Sequence, residues 1–110
     1  MAYNEALAVR VRKRLGKRKG LVEKKMFGGL AFLLNGNMSV GVYGDELIVR
    51  IDPGQTDAAL AQEHTRIFDI TGKPMRGWIL VRPDGLARSA ALSKWVDTGI
   101  AFAASLPGKK

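Results

Sequence analysis

A chain of 110 residues, 46% of them hydrophobic, is sized for one domain with one core over residues 1–110; two half-length domains would each bury too little to be stable. It has no cysteine, which excludes disulfides, thiolate zinc sites and cysteine nucleophiles together and fits a reducing compartment. The net charge of +8 is local: nine basic residues and two acids lie in the first 25 positions, so that segment carries +7 and the remainder +1.

In chain order, Asn4 is placed to cap a helix whose apolar residues Leu7, Ala8, Val11 and Leu15 fall within about a third of the circumference. Arg10, Arg12, Lys13, Arg14 and Lys17 occupy the remaining arc as an exposed basic face, and Gly16 and Gly20 mark the exit. From Val22 the pattern changes to short alternating runs divided by turn residues, which predicts an antiparallel meander. Strands are expected over 22–27, 30–34, 38–43 and 46–51. Gly28-Gly29 permits a tight turn or bulge, and Asn35-Gly36 suits the positive φ angles of a type I′ hairpin. In the fourth strand Leu47, Val49 and Ile51 alternate with Ile48 and Arg50, which predicts one buried face.

Asp52-Pro53 ends that strand and starts a short helix through Ala58, Ala59, Leu60 and Ala61. Two more strands, 66–70 and 78–82, are joined by an irregular connection over 71–77. After Pro83-Asp84-Gly85, Ser89 is the expected cap of a final helix with Leu92, Trp95, Val96, Gly99, Phe102, Ala103 and Leu106 at helical spacing. Pro107-Gly108 stops it, and Lys109 and Lys110 are tail. The expected class is α+β: an antiparallel sheet of about five to six strands packed by an N-terminal helix, a short middle helix and a long C-terminal helix. The first residues hold no apolar stretch of signal-peptide length, and no run approaches the roughly 18 apolar residues of a membrane span. Cytoplasm is the expected compartment, and a membrane is not an expected partner.

Catalytic chemistry finds little to work with. Gly28-Gly29 does not begin a phosphate loop, and Gly72-Lys73 runs into Pro74 without a strand-to-helix context. His64 is the single histidine and has no cysteine or second histidine to complete a ligand set. Asp45, Glu46, Asp52, Asp57, Glu63, Asp69, Asp84 and Asp97 sit where turns and helix ends explain them, although two carboxylates distant in sequence can still converge in space. Ser39, Ser89, Ser93 and Ser105 have no activating base other than His64. No catalytic, metal-binding or cofactor-binding residue, and no cofactor, is expected.

Two surfaces are candidates for binding. Arg10, Arg12, Lys13, Arg14, Lys17, Arg18 and Lys19 can neutralise phosphates of a nucleic acid and release counterions. A solvated, solubilising face is the plainer account, because no aromatic residue is interleaved and no helix-turn-helix or zinc module accompanies the cluster. Lys73, Met75, Arg76 and Trp78 can line a partner or ligand surface with Arg76 as the anion-binding or stacking group. There the plainer account is that Trp78 anchors a strand and Met75 covers it.

At Lys25-Met26-Phe27-Gly28-Gly29-Leu30-Ala31-Phe32, Asn35-Gly36-Asn37-Met38 and Gly72-Lys73-Pro74-Met75-Arg76-Gly77-Trp78, the chain resembles the TfoX/Sxy N-terminal domain family, with a likeness that runs from the first helix to Leu106-Pro107. The resemblance implies an α+β fold with a curved antiparallel sheet packed by helices. Family members named for the property are regulators of natural competence that act in transcription, the larger ones with a separate C-terminal domain, and the likeness here is to a stand-alone member. It implies no catalytic residues. The expectation is therefore a non-enzymatic regulatory module with a protein partner, a homodimer by sheet-edge or helix pairing being one form. The alternative is a non-specific nucleic-acid-binding accessory protein that uses the basic first helix.

Overall fold

A computed structural model describes residues 3–26, 28–69 and 72–108. Asn4 accepts the Leu7 N–H on Oδ1 at 3.0 Å and opens α1 (Glu5–Leu15), whose buried stripe is Leu7, Ala8, Val11 and Leu15. The meander follows as β1 (Leu21–Met26), β2 (Gly29–Leu34), β3 (Asn37–Tyr43) and β4 (Glu46–Arg50). Asn35 at φ 52° and Gly36 at φ 84° supply the two left-handed positions that a type I′ turn requires between β2 and β3. Asp52 accepts the Gly54 N–H at 2.8 Å and caps a 3₁₀ turn, Pro53–Gln55, that leads into α2 (Thr56–Leu60). β5 (Thr65–Phe68), β6 (Met75–Val81), a second 3₁₀ turn (Pro83–Gly85) and α3 (Ser89–Ser105) complete the order. Among the described residues the strands form one antiparallel sheet in the order β1-β2-β3-β4-β6-β5, so the fold is α+β with three helices, as the sequence predicts.

Two local expectations are corrected. Ser89 does not cap α3: Leu92 N–H already reaches the Arg88 carbonyl, so Ser89 is the first helical residue and Arg88 precedes it without a side-chain capping bond. The strand predicted over 78–82 begins earlier, because Met75 pairs with Phe68 across a register shift and the chain bulges through Arg76 and Gly77. This bulge is fastened, with Ile51 N–H donating to the Gly77 carbonyl at 2.8 Å and Gly77 N–H donating to Thr56 Oγ1 at 2.9 Å. Phe27, Ile70 and Thr71, which the predicted strands and connection include, and the tail residues Lys109 and Lys110 lie outside the described residues.

The sheet is apolar on both faces. On one face Phe32, Val40, Val49 and Ile79 follow one another across β2, β3, β4 and β6. They join the buried residues of all three helices in the main core. On the other face a single row crosses every strand: Lys24, Ala31, Gly41, Ile48, Leu80 and Arg66. Its ends are charged, yet Ala31, Ile48 and Leu80 in its middle have no exposed surface. Together with Met38 and Phe68 they form a second cluster to which no helical residue belongs. The core face expected over 46–51 is buried at Leu47, Val49 and Ile51, and the structure adds that Ile48 on the opposite face of β4 is fully buried as well. Gly41 makes room for this, since a Cβ there would stand 2.9 Å from Met38 Cε, and the methionine methyl fills the space instead.

Candidate functional site

The basic residues of α1 do not present one open face. Arg12 forms a fork with Glu23 of β1, Nε to Oε2 at 2.7 Å and Nη2 to Oε1 at 2.8 Å. On the opposite flank Arg14 forms a fork with Asp97 of α3, with Nε to Oδ1 at 3.0 Å and Nη2 bonded to Oδ2. Arg10 donates to the Leu86 carbonyl at 2.6 Å, and Arg18 donates back to the Leu15 carbonyl at 2.8 Å. Lys13, Lys17 and Lys19 are exposed. The outermost strip of the helix, opposite the buried stripe, holds Ala6, Val9 and Lys13, and Val9 is 55% exposed. Helical spacing predicts which residues are outside, but it cannot tell that two of the arginines meet carboxylates from elements distant in sequence.

The forks shift the ionisation of their members. The hydrogen bond to Glu23 raises the Arg12 pKa and that to Asp97 raises the Arg14 pKa, while the same Arg14 bond holds the Asp97 carboxyl below its ordinary value. A carboxyl depressed in the folded state contributes stability above its unfolded pKa and loses it as pH falls through the folded value. The parent should therefore be somewhat more stable than Asp97→Asn near neutral pH, with the difference closing below the usual carboxylate range. The effect is small, because both side chains are close to half exposed. Melting curves of the two proteins across pH check this, and a difference independent of pH would remove Asp97 from the account.

The residues Lys73, Met75, Arg76 and Trp78 are not brought together on one surface. Lys73 is exposed. Arg76 turns toward the first 3₁₀ turn and α2, donating to Asp57 Oδ1 at 3.2 Å and the Pro53 carbonyl at 3.3 Å. Met75 and Trp78 instead pack against the second apolar cluster. The Trp78 ring lies 6.1 Å from that of Phe68 and carries the Arg50 guanidinium 4.9 Å from its centroid. Arg50 is also 5.6 Å from the Phe102 ring of α3, so it bridges two aromatic rings. Sequence reasoning passes over Arg50 as a polar alternate in a strand; its signal is the Arg50–Trp78 register, which exists only once β4 and β6 pair.

His64 and the carboxylates remain dispersed. His64 sits in the turn before β5 at φ 68°, with its Nε2 3.8 Å from Glu63. It borders a hollow of about 380 Å³ with Asp84, Arg88 and Trp95. A neighbouring hollow of about 300 Å³, between α2 and α3, is lined mainly by apolar surface from Ile51, Ala58, Trp95 and Phe102. Among the described residues no three His, Asp or Glu side chains are grouped to hold a metal ion, and no helix is long and apolar enough to cross a membrane. Ser39 is buried and donates to the Phe32 carbonyl at 2.9 Å, and Ser105 donates to the Phe102 carbonyl at 2.6 Å.

Residues 13–103 match the family model of the TfoX N-terminal domain. The chain belongs to the TfoX N-terminal domain family. The matched span contains the whole sheet, α2 and nearly all of α3, and so includes the three motifs that carry the resemblance. In this TfoX N-terminal domain those motifs are structural joints: the β1–β2 connection, the Asn35-Gly36 hairpin and the Gly77 bulge that links β4, β6 and α2. At family level the chain is a TfoX-like regulatory domain. No curated protein and no solved structure matches it.

Proposed function

We propose that this TfoX N-terminal domain is a non-enzymatic regulatory module that works by binding another protein, with self-association into a homodimer as one form of that contact. The observation that carries this reading is the second apolar cluster, whose margin residues Met26, Leu33 and Trp78 are only partly buried. The centre of this cluster is already shielded from water, so what a partner would cover is its half-buried apolar margin, on a sheet face whose cluster includes no helical residue. Membership in the TfoX N-terminal domain family supports a regulatory setting, and the competence role of the named members is the setting this reading extends to the chain. Nucleic-acid binding by α1 as a single basic face is less well supported, because Arg12 and Arg14 spend their charge on Glu23 and Asp97.

Light scattering of the intact protein, paired with affinity capture by the parent and by a folded Leu33→Glu variant, tests the proposal. The expected result is either a dimer that Leu33→Glu dissociates or a retained protein that Leu33→Glu loses. A monomer that holds no protein in a Leu33-dependent way would sink it.

A further inference from the structure

Among the described residues, the α1 cations that meet no carboxylate, Arg10 and Lys13, line one groove. Between α1 and α3 lies a groove of about 400 Å³ lined by Arg10, Lys13, Arg14, Ser89, Leu92 and Ser93. Three of these six residues are cationic, two carry hydroxyls and none is acidic. Arg10 and Arg14 stand one helical turn apart, Lys13 flanks them from the outer strip of α1 at the rim of the groove, and Ser89 and Ser93 stand one turn apart on the facing helix. Both helices therefore turn polar side chains toward the same space.

We propose that this groove binds a phosphate group. Arg10 is anchored by one donor to the Leu86 carbonyl, and a guanidinium has five. Arg14 is anchored by two donors to Asp97, and that carboxylate offsets its charge. Among the described residues neither Arg10 nor Lys13 is paired with a carboxylate, so together they supply two positive charges, which matches a phosphate dianion, and the serine hydroxyls add donors suited to its oxygens. Because two of the cations are held in place before any ligand arrives, less side-chain entropy is lost on binding. The single apolar lining residue is Leu92, and no aromatic ring lines the groove to stack a base. Recognition is thus of the phosphate itself, whether free or part of a nucleic-acid backbone. The inference is independent of the protein-binding reading, which rests on the other face of the sheet.

The test is a titration of the ¹⁵N-labelled full chain with inorganic phosphate at constant ionic strength, and separately with a short single-stranded DNA. Phosphate should move the amide resonances of Lys13, Ser89 and Ser93 saturably. Lys13→Glu should weaken the phosphate affinity about tenfold, the scale of one lost charge-assisted hydrogen bond. Lys24→Glu makes the same charge change on exposed β1 and should leave the affinity nearly unchanged. If DNA moves the same three resonances and phosphate competes with it, the source is a backbone; if phosphate alone does, the source is a small phosphate. Absence of saturable shifts at these residues, no loss in Lys13→Glu, or an equal loss in Lys24→Glu overturns the proposal, the last because it would show an effect of net charge alone.

Discussion

A Gly99→Ala protein should be less stable than the parent by about 2 kcal/mol and melt roughly 10 °C lower. On helix propensity the sign would be opposite, since replacing glycine by alanine inside a helix gains up to about 1 kcal/mol. Packing reverses it. α3 crosses β3 so closely that a Cβ on Gly99 would stand 2.5 Å from Val40 Cγ1 and 2.6 Å from the Ser39 carbonyl oxygen. Neither neighbour gives way easily, because the valine side chain is stiff and the other contact is backbone. Ser39 is itself fixed by its hydrogen bond to the Phe32 carbonyl. α3 must lift from the sheet, and with it Val96 and Ile100, which are buried in the main core. Thermal unfolding decides the matter: a higher melting temperature for Gly99→Ala would mean that α3 does not rest on β3 as described.

Leu80→Ala should cost about 3 kcal/mol, as much as Leu47→Ala, although the two residues belong to different faces of the sheet. If the face opposite the helices were simply solvated, the Leu80 substitution would fall within about 0.5 kcal/mol of the parent. Leu80 is instead fully buried between Ile48 and Arg66 in the row that crosses all six strands. Arg66 is held over this face by a fork to Glu46, at 2.7 and 2.9 Å, so the charged end of the row is also fixed. Urea unfolding of the two variants with a common m-value would show the costs directly. A near-neutral Leu80→Ala would leave the second cluster without an energetic role.

Features whose physics is local were legible from the residues alone. The Asn4 cap and the Asn35-Gly36 turn each depend on two to four neighbouring residues, and each forms as expected. Asp52 does cap, but Asp52-Pro53 opens a 3₁₀ turn rather than the expected helix, which begins only at Thr56. The Ser89 cap was misplaced by one residue because serine favours both a cap and the first turn, and which it takes depends on where the preceding turn delivers the chain. The alternation of Leu47, Val49 and Ile51 with Ile48 and Arg50 identifies one core face of β4 and leaves the burial of the other undetermined. Ile48 shows that the alternation was incomplete, and strands buried on both faces carry just such near-continuous apolar runs.

The sequence by itself determined the α+β class, the order of the elements, the family and the concentration of positive charge near the first helix. Class, order and charge follow from periodicity, turn chemistry and composition, which are properties of short segments, whereas the family follows from the likeness of particular motifs and the match over residues 13–103. Only the tertiary structure decided how that charge is used. Arg12 was matched to Glu23 and Arg14 to Asp97 by the packing of α1 between β1 and α3, and the same packing set Arg10 and Lys13 opposite Ser89 and Ser93. Pairing across as many as 83 residues of chain depends on where whole elements come to rest, and no local pattern encodes that.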